Sequence, residues 1–293
     1  MHQLSCGVDY PVVPYWVDGT TTMKEDGDGA IARAFKVLEY MDHLQRPVGL
    51  TELVEQLDMP RSSAAALIST MVRLGYLSHD RSSRTYMPTA RVAELGRWVD
   101  LQLLGRDQHA FIPLIAELRH RLDETVVLGT PNDLYVQYIH VDLAERPVLY
   151  YVKTGAQREM CRSAVGWSLL MSSTDAEIER LVRRHNASKD LAASPVDTRE
   201  LIGRIKAARQ GGYAFSKHTV MPGSGMVAMP VPRVAHSRPI AIGVGGPVER
   251  LEEKLPLVVA ALRETVEQFS VVLHRPQSPE DEGDSELASS AMA

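Results

Sequence analysis

Between residues 59 and 77 the chain reads MPRSSAAALISTMVRLGYL, and its apolar side chains recur at helical spacing on Ala64, Leu67, Ile68, Met71 and Leu74. Pro60 suits the first position of a helix, where a missing N–H costs nothing, and it pushes Met59 before it towards extended geometry. Gly75 supplies the left-handed residue at which many helices stop. The other face carries Arg61, Ser62, Ser63, Ser69, Thr70 and Arg73, and no carboxylate stands between Met59 and His79. A short helix that is apolar behind and small, hydroxylated and basic in front suits the floor of a DNA major groove. Small side chains allow close approach, while hydroxyl and guanidinium groups reach phosphates and base edges.

The pattern on either side gives this helix a setting. Residues 30–44 predict a helix with Ile31, Ala34, Phe35, Leu38 and Met41 on one stripe, and RPVG at 46–49 reads as a turn. Thr51 is expected to cap a short helix ending at Leu57, with Leu53, Val54 and Leu57 facing inward. Two short strands, 76–79 and 84–87, flank Asp80, Arg81, Ser82 and Ser83 as a β-hairpin. Three helices and a hairpin in this order make a winged helix-turn-helix over 29–88, with the third helix entering the groove. Expected DNA contacts are Arg61, Ser62, Ser63, Ala65 (against a thymine methyl), Ser69 and Arg73, with Arg81 and Arg84 reaching an adjacent backbone from the hairpin tip.

Downstream, residues 89–104 predict a helix that links two domains (linker 89–108), and 109–122 predict another. The period then changes to that of strands at 125–130, 134–141 and 148–153. A small-residue helix is expected at 163–171, further helices at 175–185 and 198–209, and strands at 213–218, 225–232 and 239–245. A closing helix is expected over 251–273, with Pro256 in its first turns or at a kink. Strands flanked by helices at both ends predict an α+β domain over 109–273 with a mostly antiparallel sheet. The leader 1–28, in which Met23 is an alternative start, and the acidic tail 274–293 are expected to be disordered.

Composition narrows the function. The chain has 293 residues and a net charge of −5, so it is not a general polyanion binder as a whole. The sign is uneven, however. Residues 59–93 hold five arginines and one acid, while 276–293 hold five acids and no base, which suits a binder with one cationic face. Cys6 and Cys161 are too far apart in sequence and too few for a disulfide framework or a zinc site. No run is long and apolar enough for a membrane span and no signal pattern opens the chain, so a cytoplasmic protein is expected. The histidines are scattered, with His109 and His120 off the i, i+4 spacing of a metal pair. The glycines form no phosphate loop, and Ser163, His218 and Asp175 lack the G-x-S-x-G elbow of a hydrolase. No catalytic residue, metal or cofactor is expected.

The order of motifs resembles the IclR (isocitrate lyase regulator) family of bacterial transcription regulators. It is carried by RAFKVLEYM, TELVEQLDMPRSSAAALISTMVRLGYL, RTYMPT, AELG, SAVG at 163–166, GGYAFS at 211–216, PGSGMVAMPV at 222–231 and IGVGGP at 242–247. The resemblance implies an N-terminal winged helix-turn-helix, a helical linker and a C-terminal GAF-like domain that binds a small effector. It also implies dimers or dimers of dimers that repress, and sometimes activate, catabolic operons. Several positions depart from the family pattern. Ala66 stands where an arginine is frequent, and Trp167 where a basic residue often follows SA-x-G. Ser216, Lys217, His218 and Thr219 replace carboxylates, Met226 a cysteine, and Gly243 and Gly245 two serines.

Relatives that sense small carboxylates use hydroxyls, backbone N–H groups and a thiol at these positions. Methionine and glycine there predict a roomier, softer and more apolar cavity, hence an aromatic or largely apolar effector. Lys217 and His218 leave room for an acidic headgroup. The expected lining is Leu149, Tyr151, Met160, Ala164, Val165, Gly166 and Trp167 from one side, with Phe215, Ser216, Met226, Gly243 and Gly245 from the other. The rival reading is a small-molecule sensor that acts through protein contacts with little DNA affinity, for which Ala66 speaks.

Overall fold

The computed structural model describes residues 29–96, 108–188, 191, 195–232 and 238–273. These fall into two compact units, one within 23–106 and one beginning at 107. The leader 1–28, the tail 274–293 and the expected 89–104 helix beyond Gly96 lie outside the described residues.

The first unit runs α1 (Ala30–Leu44), β1 (Val48–Gly49), α2 (Leu50–Gln56), α3 (Arg61–Arg73), β2 (Leu77–Asp80), β3 (Thr85–Pro88) and α4 (Ala90–Glu94). Its sheet is antiparallel in the order β1-β3-β2, so the expected turn at 46–49 also contributes a short third strand. Asp58, at φ 45°, turns the chain sharply between α2 and α3, and the Met59 N–H donates to the Val54 carbonyl at 3.2 Å. Ala64, Ile68 and Met71 of α3 bury against Val37, Met41, Val48, Leu53 and Leu77. Each large apolar side chain buried there contributes about 1.5–3 kcal/mol.

Four expectations shift by about a residue or a third of a turn. Pro60 is the N-cap of α3 rather than its first residue, and Gly49, not Thr51, caps α2. Leu74, the C-cap just before the chain turns at Gly75 (φ 80°), is exposed. There Tyr76 N–H donates to Met71 O and Gly75 N–H to Val72 O, both at 2.9 Å, the paired bonds of a glycine-terminated helix. On α1 the core takes Val37 and Met41, leaving Ile31 and Phe35 exposed.

The second unit contains α5 (Gln108–Leu122), β4 (Thr125–Asn132), β5 (Tyr135–Asp142), β6 (Gln157–Glu159) and α6 (Ala164–Leu169), which ends in a 3₁₀ turn. It continues with α7 (Asp175–Ala187), α8 (Thr198–Gly211), β7 (Ala214–Lys217), β8 (Ser224–Pro230), β9 (Ala241–Pro247), α9 (Val248–Glu253) and α10 (Leu255–Leu273). The six strands form one antiparallel sheet in the order β6-β5-β4-β9-β8-β7, which gives the α+β architecture expected from the sequence. Val127, Met226 and Ala228 join the core cluster that contains α6. The alternate residues Val126, Val227, Ile242 and Val244 are buried too, so both faces are covered. Helices α5 and α10 pack on the central strands, and Phe111 meets Phe269 edge-on at 4.8 Å.

Two expected elements differ. Residues 148–153 are not a strand; pairing with β5 begins at Gln157, after a turn at Gly155. The closing helix is two helices, broken at Lys254, with Pro256 in the first turn of the second, where its missing N–H breaks no bond. Beside this break lies Glu124, fully buried. Its carboxylate accepts two hydrogen bonds from Arg250 and lies 3.7 Å from Lys254 Nζ.

Candidate functional site

Helix α3 presents Arg61, Ser62, Ser63, Ser69 and Arg73 to solvent. Ala65 is half-buried, and Ala66 is the alanine on the exposed line. The Thr70 hydroxyl turns back to donate to the Ala66 carbonyl at 2.9 Å, which takes it out of the front. Among the described residues no carboxylate pairs with Arg61, Arg73, Arg81 or Arg84, whereas Arg46 nearby is held by Glu52 at 2.5 Å. Unpaired guanidinium groups are the ones free to meet phosphates.

The hairpin tip is built by its one acid. Asp80 accepts from Ser82 N at 2.8 Å, Ser82 Oγ at 2.7 Å and Ser83 Oγ at 2.7 Å. The Ser82 and Ser83 hydroxyls and the Ser82 amide pull its carboxyl down to about 2. With Asp80 so engaged and Arg84 at φ 55°, Arg81 and Arg84 are both exposed at the tip.

In the second unit, Ser163 caps α6, its hydroxyl accepting from Gly166 N at 3.1 Å. An added Cβ at Gly166 would sit 2.1 Å from the Met160 carbonyl oxygen, so only glycine lets this turn close. The cap brings Ser163 and Ala164 opposite Ser216, Thr219, Ser224 and Met226, with Tyr138 and Tyr150 beside them. The space they enclose is about 10 Å³, room for roughly one water.

The expected roomy cavity is therefore filled, and the filler is Met226. A Cβ at Gly243 would lie 2.8 Å from its sulfur, and one at Gly245 would lie 2.8 Å from its methyl and 2.9 Å from the Tyr150 ring. Methionine occupies the volume that the two glycines leave, and Tyr138 Oη reaches its sulfur at 3.6 Å. Burial drives the Tyr138 phenol well above its usual range, so it is a neutral donor. Behind the tyrosines, buried Arg158 donates to Tyr150 Oη at 3.3 Å.

Of the twelve expected lining residues, Ala164, Ser216 and Met226 face this space. Val165, Gly243 and Gly245 back Met226, and Met160 and Gly166 set the α6 turn. Trp167 lines a separate, outer cavity. Leu149, Tyr151 and Phe215 are misplaced. Tyr151 is 46% exposed and its neighbour Tyr150 points inward; Phe215 is half-buried on the strand face opposite Ser216, under the Lys217 ammonium. Lys217 is itself paired with Glu252 at 2.6 Å, and His218 Nδ1 accepts from Gly223 N. Tyr138, Tyr150, Thr219 and Arg158 were missed. Only the tyrosines carried a signal, as large amphipathic residues on an apolar strand pattern.

Comparison with known proteins gives two family matches. Residues 108–271 match the family described as bacterial transcriptional regulator IclR C-terminal, and residues 30–81 match the IclR helix-turn-helix domain. The HTH-type transcriptional regulator KdgR of Dickeya chrysanthemi is 25% identical over 206 residues, covering 70% of this chain and 67% of its own. The crystal structure of the Thermotoga maritima IclR superposes with a TM-score of 0.66 at 20% identity, over 83% of this chain and 98% of that one. An IclR homolog from Microbacterium hydrocarbonoxydans, solved in complex with 4-hydroxybenzoate, gives a TM-score of 0.61 at 18% identity, over 84% and 99% of the two chains.

Proposed function

Since this chain belongs to the IclR family of bacterial transcriptional regulators, a family of regulators rather than enzymes, we propose that it is a ligand-responsive repressor of a catabolic operon. In this reading a dimer, or a dimer of dimers, sets two copies of α3 on half-sites about 34 Å apart. Arg61, Ser62, Ser63 and Ser69 read or approach the groove, and Arg73, Arg81 and Arg84 hold phosphates. The observation that carries the reading is the exposed α3 face, with its serines, Arg61 and Arg73, together with Arg81 and Arg84 at the hairpin tip; no carboxylate of the described residues neutralises any of the four. Placement in the cytoplasm belongs to the same reading; no described helix is long and apolar enough to cross a membrane.

The effector is a small aromatic or largely apolar molecule with room for an acidic group. It is received where Met226 now sits, between Tyr138, Tyr150, Ser163 and Ser216. Methionine is flexible and yields at modest cost, and the hydroxyls around it supply hydrogen bonds. An effector of this kind regulates only by binding the DNA-competent and DNA-incompetent arrangements unequally. The likeness to the Microbacterium protein makes 4-hydroxybenzoate a rational first probe. The test is a gel shift on the promoter beside the chain's own gene. Salt-sensitive binding that an aromatic acid relieves supports the reading. Absence of any salt-sensitive shift sinks it in favour of a sensor acting through protein contacts.

A further inference from the structure

Beyond the Met226 space, across Thr219, lies a larger cavity of about 110 Å³. It opens between α6 and α8 and is lined by Cys161, Trp167, Arg204 and Thr219, and by the two acids Asp197 and Glu200, among others. Its size is of the order that accepts a single benzene ring in a protein interior. We propose that this outer cavity is a second small-molecule site, for one planar ring bearing one carboxylate.

Three observations carry the proposal. The floor is the indole of Trp167, fixed by its Nε1–H donating to the Cys161 carbonyl at 2.7 Å. Over that indole stands the guanidinium of Arg204, 5.0 Å from the ring and paired at 2.5 Å with Glu200, which also lines the cavity. Arg204 is the exposed part of the cover: its side chain is 43% exposed, while Trp167 is 4% exposed. A flat ring entering here takes the stacking place of the guanidinium, and a carboxylate on that ring then takes over the Arg204 pairing from Glu200. In the shared wall, Thr219 Oγ1 is buried and has no hydrogen-bond partner among the described residues. A polar group of the ligand would satisfy it. The Cys161 thiol, pushed up to about 12 mainly by burial, stays neutral and adds only a polarisable wall. The site stands apart from the Met226 space, which Trp167 and Arg204 do not line.

Trp167 reports on the site directly. The chain has three tryptophans, and replacing Trp16 and Trp98 by Phe in the full-length protein leaves Trp167 as the single fluorophore. Titration with benzoate, excited at the red edge, is expected to give a saturable change. Phenol, benzylamine and cyclohexanecarboxylate bind at least about fivefold more weakly, each lacking the acid, the correct charge or the flat ring. Thr219→Val weakens benzoate by about 5- to 10-fold. Arg204→Gln weakens benzoate about tenfold and phenol less than twofold. No saturable change with any of the four compounds overturns the proposal. So does a change that survives Thr219→Val and Arg204→Gln but is lost in Ser216→Ala, which would put the ligand behind Met226. Benzoate binding with these dependences but no effect on the promoter complex upholds the site and counts against the regulatory reading alone.

Discussion

If Met226 fills the volume vacated by Gly243 and Gly245, then returning a side chain to Gly243 must conflict with the methionine and with little else. A Cβ there lies 2.8 Å from Met226 Sδ, but 3.1 Å from Val165 Cγ2 and 3.2 Å from Val127 Cγ2, contacts that small shifts relieve. Gly243→Ala should therefore cost about 1–3 kcal/mol through overpacking, partly offset by the lower chain entropy of alanine. Met226→Ala removes a buried side chain and should cost about 2–5 kcal/mol. In the double variant the new methyl enters the space the methionine left. The combined cost should then fall short of the sum by about 1–2 kcal/mol. Gly245 is the internal control. Its added Cβ would still meet the Tyr150 ring at 2.9 Å after Met226 is gone, so its coupling to Met226 should be smaller. Urea unfolding read by Trp167, in the Trp16→Phe, Trp98→Phe background, isolates the domain that holds all these residues. Additivity within about 0.5 kcal/mol for the 243–226 pair would refute the complementarity.

Other consequences are open to direct measurement. Glu124→Gln leaves Arg250 and Lys254 without their buried counter-charge and should destabilise the second unit by about 3–5 kcal/mol, seen as a lower urea midpoint; a change under about 1 kcal/mol would remove Glu124 from the structural core. Arg61→Ala should weaken the promoter complex by about 1–3 kcal/mol with altered base preference, while Arg73→Ala should act evenly on all sequences and lower the salt slope by about one. Equal behaviour of the two would void the division of roles. Asp80 should titrate at about 2, below the ordinary 3.8, so its hold on the hairpin tip is complete above 3.8 and fades as the pH falls through 2. Ser82→Ala should raise that midpoint in a carboxyl-resolved NMR titration, and an unmoved midpoint would contradict the hydrogen-bond origin of the shift.

The elements of the first unit were legible because their signals are local. Proline, glycine and a 3.6-residue period mark α3, and its exposed front follows from that period alone. What failed there was a matter of phase. On α1 the apolar stripe runs through Ile31 and Phe35, yet the core takes Val37 and Met41, because packing against α3 and the sheet decides which side of a broadly apolar helix turns inward. In the second unit the order of strands and helices was readable, and the site only in part. Tyr150 and Tyr151 are adjacent and alike, and which one points inward is a parity set by the path from Arg146 to Gln157, where the strand-like pattern at 148–153 forms no strand before Gln157. The exchange of serine for glycine and cysteine for methionine suggested more room. The sum of volumes across β8 and β9 had to be seen in register, with Met226 opposite Gly245 and two residues along from the Ala228–Gly243 pair, before the methionine proved to be the filler.

A pocket closed by a flexible side chain has a regulatory consequence that one closed by rigid walls lacks. The closed space has room for about one water, so an effector received there binds an open arrangement different from this one. Its apparent affinity is the intrinsic affinity scaled by the open fraction. Met226 packs against β9, whose other face carries Ile242 and Val244 towards the helical layer of α5 and α10. That layer is tied together at both ends: Phe111 against Phe269, Arg121 on Glu264 at 2.6 Å, and Lys254 reaching both Glu124 and the last carbonyl of α5. Helix α5 is the element into which the segment from the first unit runs. A shift of the sheet under Met226 thus has a stiff path to the start of the domain, and contiguity of this kind becomes coupling only where both ends bias the same two states. The Met226→Ala variant separates the cases. It opens the space permanently, so if that opening is the conformational event, the variant should hold the promoter with the affinity of the effector-bound protein and respond little to further effector.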